Sequence, residues 1–162
     1  MDIESMRRVD HAGEWGAVHI YKGQSWVLPN DPDITHMLEQ EKEHLAAFNK
    51  HLAQHQTRPS WLQPVWAAGG FALGAITALM GRKMAHTCTV AVEEVIEEHY
   101  AEQLHELNGQ EPELEALVEK FAAEEAEHRQ LASEAIQHEP YPIAARLIRS
   151  LTRAAITVAK RV

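Results

Sequence analysis

LEQEKEHLAAFNK, residues 38–50, puts two ionisable side chains where a helix should be apolar. Glu41 and His44 interrupt the stripe Ile34, Met37, Leu38, Leu45, Phe48, Leu52, while Gln40, Lys42 and Glu43 point elsewhere. Residues three apart share one helical face, so both side chains are directed into a core and can reach one ion. Spacing alone decides nothing. The chain has 20 glutamates and 11 histidines in 162 residues, from which about 1.4 such pairs arise by chance; three occur. FAAEEAEHRQLA, residues 121–132, repeats the pattern, with Glu125 and His128 interrupting Leu114, Leu117, Val118, Phe121, Leu131, Ala132 and Ala135. The third pair, Glu102/His105, has Glu98, His99 and Glu106 around it and reads as a solvated face.

Working outward, proline and glycine fall in a few clusters, and the segments between them show helical period with almost no strand-like alternation. The fold class is all-α. A first helix runs from about Ser5 to Leu28 and stops at LPNDPD; a second starts near Asp33 or Thr35 as N-cap and fades by about Gln56. A third covers roughly Ala85 to Leu107 and ends at Asn108-Gly109, and a fourth runs from Pro112 to about His138. Short connections pair helices one with two and three with four as antiparallel neighbours, and residues 57–84 form one long apolar crossover. This is the connectivity of a ferritin-like four-helix bundle whose halves are structural duplicates. The expected organisation is one domain, with the bundle in residues 1–140 and a basic amphipathic C-terminal helix in 141–162.

Duplication requires one inward glutamate from each of the other two helices. Glu93 has Val90, Ile96 and Tyr100 on its face, whereas Glu94 is followed by Glu97 and Glu98. Glu14 shares its face with Val18 and Tyr21 and is the only glutamate between Glu4 and Glu39. A buried carboxylate must be neutralised, and a metal ion does so well. Four glutamates and two neutral imidazoles balance two divalent ions, and ligation rich in oxygen and free of thiolate favours iron or manganese. The expected metal ligands are Glu14, Glu41, His44, Glu93, Glu125 and His128.

The net charge of −9 hides an asymmetry, because all 24 acids but only ten of the fifteen basic residues precede residue 140. An acidic body repels phosphate backbones, so no nucleic acid partner is expected. A single cysteine, Cys88, excludes an internal disulfide and a Cys-rich zinc site. The N-terminal stretch MDIESMRRVDHAGEWG reads as neither signal nor transit peptide. Residues 59–81 carry no charge. Pro59, Pro64, Gly69, Gly70 and Gly74 divide them, and a single crossing would put the two hairpins, and so the ligands, on opposite sides of a bilayer. With Trp61, Trp66 and Phe71 they read as a segment lying in one leaflet, the alternatives being a packed crossover or a span. In residues 143–162, Ala144, Leu147, Ile148, Leu151, Ala155 and Val158 lie on one side of a helix and Arg146, Arg149, Arg153 and Lys160 mostly on another. That helix suits an anionic membrane surface or, alternatively, a partner helix.

RRVDHAGEWGAVHIYKGQ (7–24), LEQEKEHLAAFNK (38–50), RPSWLQPVW with GFALGAITALMG (58–81), CTVAVEEVIEEHY (88–100) and EEAEH (124–128) together resemble the demethoxyubiquinone hydroxylase family. The resemblance runs from about Arg7 to His128. It implies an oxygen-dependent monooxygenase with two iron ions, whose ligands fall on the same six residues, with dioxygen as co-substrate and an external two-electron donor. The implied substrate is a lipid-soluble polyprenylated demethoxy-quinol of ubiquinone synthesis. The implied site of action is peripheral, at the cytoplasmic face of a bacterial inner membrane, and is compatible with a lipid-presenting protein partner. Glu14 and Glu93 would then change between terminal and bridging modes. His99 and Tyr100 match the family and could hydrogen-bond a ligand or relay electrons and protons, with core packing the alternative for Tyr100. Glu97-Glu98 make the segment before His99-Tyr100 more acidic than the family pattern, and Glu97, one turn after Glu93, reads as either a carboxylate behind the ligands or an exposed residue. The rival functions are a ferritin-like ferroxidase that stores iron, a metal-free membrane adaptor and a tRNA-modifying hydroxylase.

Overall fold

The computed structural model describes residues 1–138 and 140–161; Glu139, the last acid, and Val162, the end of the tail, lie outside them. Six helices follow in order: α1 (Ile3–Val27), α2 (Pro32–Gln54), α3 (Gln63–Leu79), α4 (Arg82–Leu107), α5 (Pro112–Ile136) and α6 (Pro142–Ala159). Among the described residues there is no strand. The all-α expectation holds, and the arrangement is consistent with a ferritin-like bundle. Helices α1 and α2 pack as one hairpin and α4 and α5 as the other, with α2 meeting α5 and α1 meeting α4 across the core.

Local chemistry sets the helix ends. The Asp2 carboxylate accepts the Ser5 amide and caps α1. Asp31, not Asp33 or Thr35, caps α2: its side chain accepts the amides of Asp33 and Ile34, and Pro32 occupies the first turn, where its fixed φ suits a helix and its missing N–H costs nothing. The sequence reading placed this start late because it took all of LPNDPD as a stop. The same Asp31 carboxylate accepts from Arg82 at 2.5 Å, tying the beginning of α2 to the beginning of α4. Asn108 (φ 42°) and Gly109 (φ 79°) turn the chain after α4 in the left-handed region.

The crossover is not an irregular link, since α3 occupies most of it and makes the most extensive packing in the molecule, against α1. Glycine permits this closeness. A Cβ on Gly70 would stand 2.6 Å from the carbonyl oxygen of Gly16, and one on Gly74 would overlap that of Ile20. No described helix is long and apolar enough to cross a membrane, so the spanning alternative falls. One face of α3 is packed; the other leaves Val65, Ile76 and Leu79 exposed.

Helix α6 packs on α4 and α1. Its basic residues are partly engaged inside the molecule: Arg149 pairs with Glu94 and Arg153 with Glu98, both on α4. Helix α4 therefore carries an acidic outer face because a basic helix lies on it. Glu97 is half-buried and pairs with Arg129 on α5.

Candidate metal centre

All six expected ligands are buried, each at most 3% exposed. They form two groups of four, Glu14, Glu41, His44 and Glu125, then Glu41, Glu93, Glu125 and His128, and in each group the candidate ligand atoms lie within 4.8 Å of one another. Glu41 and Glu125 belong to both. They are shared because the Glu/His faces of α2 and α5 meet in the middle of the bundle, as expected of pairs that fix the spacing between two ions. Glu102 and His105 are exposed, as their neighbours required.

Unpaired atoms show what this arrangement lacks. Neither oxygen of Glu41 and only one of the two oxygens of Glu14 has a hydrogen-bond partner, although all are buried. Each histidine has its far nitrogen committed: His44 Nε2–H donates to Glu124 Oε2 at 2.7 Å, and His128 Nε2–H donates to Gln40 Oε1 at 3.0 Å. That leaves each Nδ1 facing carboxylates, His44 Nδ1 at 3.2 Å from Glu125 Oε1 and 3.5 Å from Glu14 Oε2, and His128 Nδ1 at 2.9 Å from Glu125 Oε2 and 3.3 Å from Glu41 Oε1. A nitrogen lone pair aimed at carboxylate oxygens is repulsive unless a cation, a proton or a metal ion, lies between them. The donor set fits two hard to borderline divalent ions.

Without metal, protons take that place. Burial, reinforced by the neighbouring carboxylates, pushes Glu41 and Glu93 well above the usual carboxylate range, and burial also raises Glu14. Glu125 goes the other way: burial raises it, but hydrogen bonds from His128 and His44 outweigh burial and bring it to about 2. Burial lowers His44, and the carboxylates of Glu125 and Glu14 overcome it, raising it to about 12. One carboxylate stays charged between protonated imidazole and neutral acids, which keeps the interior close to neutral.

Glu14 and Glu93, each belonging to one group only, are held reciprocally. Tyr21 on α1 donates to Glu93 on α4 at 2.6 Å, and Tyr100 on α4 donates to Glu14 on α1. Tyr100 thus bonds a candidate ligand and is not mere packing. His99 instead faces Asp10, 3.4 Å away, and Gln103 donates to the other Asp10 oxygen. Tyr21, Glu124 and Asp10 carry no mark of their own in the sequence as parts of the site, and Gln40, expected to point elsewhere, accepts from His128. For Tyr21 a signal was present in the repeated spacing Glu14…Tyr21…Gln24 and Glu93…Tyr100…Gln103, read crosswise between helices.

Among the described residues two other sets of potential ligands converge. Arg82 already fills the space between Asp31 and Asp33 near His86, and Arg7 donates to His51 beside His55 and Glu113. In the first an internal cation sits between the two carboxylates, and in the second Arg7 engages His51 while His55 and Glu113 are not buried with it.

A narrow cavity of about 20 Å³ touches Glu14, Glu93, Glu125 and Tyr100, and it shares Val9, Gly13, Ala17, Ile96 and Ile156 with a larger one of about 310 Å³ between α1, α3, α4 and α6. The larger wall is almost wholly apolar; Val65 and Leu151 line it and are also exposed, so it opens at the molecular surface.

A family model, ubiquinone biosynthesis protein COQ7, matches residues 1–159. The chain belongs to that family. Among curated relatives, the 3-demethoxyubiquinol 3-hydroxylase of Rhodospirillum rubrum is 45% identical over 166 residues, covering 99% of this chain and 78% of the relative. The human NADPH-dependent 3-demethoxyubiquinone 3-hydroxylase, a mitochondrial protein, is 41% identical over 98% of this chain and 77% of its own length. The 5-demethoxyubiquinone hydroxylase of Saccharomyces cerevisiae is 36% identical over 99% of this chain and 78% of its own length. The match spans both hairpins, the crossover and α6, so the resemblance read between Arg7 and His128 extends over almost the whole chain.

Proposed function

We propose that this protein is a di-iron monooxygenase that hydroxylates the ring of a polyprenylated demethoxy-benzoquinol in ubiquinone biosynthesis. The observation that carries the reading is a pair of four-ligand groups sharing Glu41 and Glu125, reached by an apolar cavity, in a member of a family whose relatives are named hydroxylases of this substrate class. A ferritin-type iron store finds no support among those relatives.

Two iron ions, when bound, supply the redox chemistry by which dioxygen is activated. The balance is one oxygen atom into the ring C–H bond and the other into water, with two electrons and two protons from outside. Glu14, Glu41, His44 and Glu125 would hold one ion and Glu41, Glu93, Glu125 and His128 the other. Tyr100 and Tyr21 fix the orientation of Glu14 and Glu93. The cavity is near the lower end of the ~300–1,000 Å³ typical of small-molecule sites. It takes the ring and the beginning of the polyprenyl tail, its apolar wall excludes bulk water, and the tail leaves past Val65 and Leu151.

That exit lies on an apolar surface formed by the outer faces of α3 and α6, where Leu79 is 69% and Ile143 86% exposed. This surface rests on a membrane, where a polyprenyl quinol resides. The test is the quinone content of cells deprived of this protein. A demethoxy species accumulates and disappears on re-expression of the wild type, whereas Glu41→Ala or His128→Ala fails to clear it while keeping near-wild-type helicity by circular dichroism. Full clearance by either variant contradicts the ligand assignment.

A further inference from the structure

Each imidazole of the centre is held from behind by the residue that precedes the glutamate of the opposite helix pair. Gln40 precedes Glu41 on α2 and accepts from His128; Glu124 precedes Glu125 on α5 and accepts from His44. The exchange is reciprocal in position but not in charge. His44 meets a carboxylate at 2.7 Å, and His128 meets a neutral amide oxygen at 3.0 Å. A second difference lies on the same side. One turn before Glu14, α1 carries Asp10, where α4 carries Thr89 one turn before Glu93. Asp10 is buried, and His99 and Gln103 hold its carboxyl, whereas the Thr89 hydroxyl has only a 3.4 Å contact from Gln24.

Given the two-metal centre proposed above, we propose that these outer partners make the two subsites unequal: the subsite of Glu14, Glu41, His44 and Glu125 takes its divalent ion first and holds it more tightly than the subsite of Glu41, Glu93, Glu125 and His128. A carboxylate that accepts the far N–H of an imidazole pulls the proton toward itself and makes the nitrogen facing the metal a stronger donor; an amide oxygen does this less. The charge on Glu124 also acts on the ion through a weakly screening interior. Lys120 Nζ lies 3.7 Å from the other Glu124 oxygen, but its side chain is 59% exposed, so solvent weakens its opposition. The remaining neighbours are matched. Tyr100 on Glu14 mirrors Tyr21 on Glu93, and the two central carboxylates are common to both subsites. Nothing else in the ligand sets cancels the difference at Glu124 and Gln40.

The test is anaerobic titration of the metal-free full-length chain, with Fe2+ followed by calorimetry and with Co2+ followed by visible absorption. Two steps are expected, separated by about tenfold or more in dissociation constant, the size of effect that outer partners of metal-bound histidine commonly have. Glu124→Gln gives both imidazoles an amide partner, so the tight step weakens and the separation shrinks to about threefold or less. Gln40→Glu approaches equality from the other side by strengthening the loose step, and it keeps the comparison available if Glu124→Gln does not fold. Two ions binding in one unresolved step in the wild type overturn the inequality and leave the two-metal centre standing, as do two steps that neither substitution moves. Fewer than two ions bound overturns both.

Discussion

Glu41 has no hydrogen-bond partner for either oxygen in a fully buried position, and at the residue scale this atom-level deficit says more than the spacing of any motif. Glu41, His44, Glu125 and His128 were legible in the sequence because an ionisable pair interrupts an apolar stripe, a signal carried by one helix alone; Glu14 and Glu93 followed from the likeness of the two hairpins. The supports of these ligands were not legible, because Tyr21 reaching Glu93, or Glu124 reaching His44, depends on how two helices are rotated against each other. The tyrosines act through the glutamates they hold. Tyr21→Phe and Tyr100→Phe should each weaken metal binding by roughly tenfold with little loss of helicity; an unchanged binding isotherm contradicts that role. Burial raises Glu14, Glu41 and Glu93, so above the usual carboxylate range the metal-free folded chain binds more protons than the unfolded one, and its stability falls as pH rises. Glu125, which burial raises but His128 and His44 bring to about 2, acts in the opposite sense, at lower pH. The melting temperature of the metal-free protein should therefore drop between about pH 5 and 8, and Fe2+ should restore it increasingly toward the upper end, since metal and protons compete for the same atoms. A flat profile with no metal response would contradict the proton-filled site.

At the scale of elements, the two hairpins were readable from caps, prolines and short connections, but α3 was not resolved as a helix of its own. Glycine and proline punctuate residues 59–81 as they would a loop, and only the neighbour explains them: Gly70 and Gly74 let α3 lie against the backbone of α1. The C-terminal helix was recognisable by its two-sidedness, yet its basic side divides. Arg149 and Arg153 face the acids of α4, which leaves its exposed apolar residues as the stronger feature for a membrane. Ile143→Asp together with Leu147→Asp should lower co-sedimentation with anionic lipid vesicles by roughly tenfold or more, from the lost apolar burial, while iron content is unchanged. Equal partition of variant and wild type would remove α6 from the membrane contact.

At the scale of the whole molecule, charge and cavity fit one purpose. The acidic body holds its basic tail helix through α4, and that helix closes one wall of the apolar cavity, with Ile156 lining both the larger space and the narrow one beside Glu14 and Glu93. Family resemblance was visible in five short strings, which hold all six candidate ligands. The cavity was not visible, because four helices contribute to it. The most direct test of a two-iron, oxygen-using hydroxylase is turnover of the iron-loaded full-length chain under 18O2 with a demethoxy-quinol and a chemical two-electron donor, read by mass spectrometry. The expected product carries one 18O atom in the new ring hydroxyl. A hydroxylated product bearing oxygen only from water, or no product from protein that holds two irons, would contradict the account.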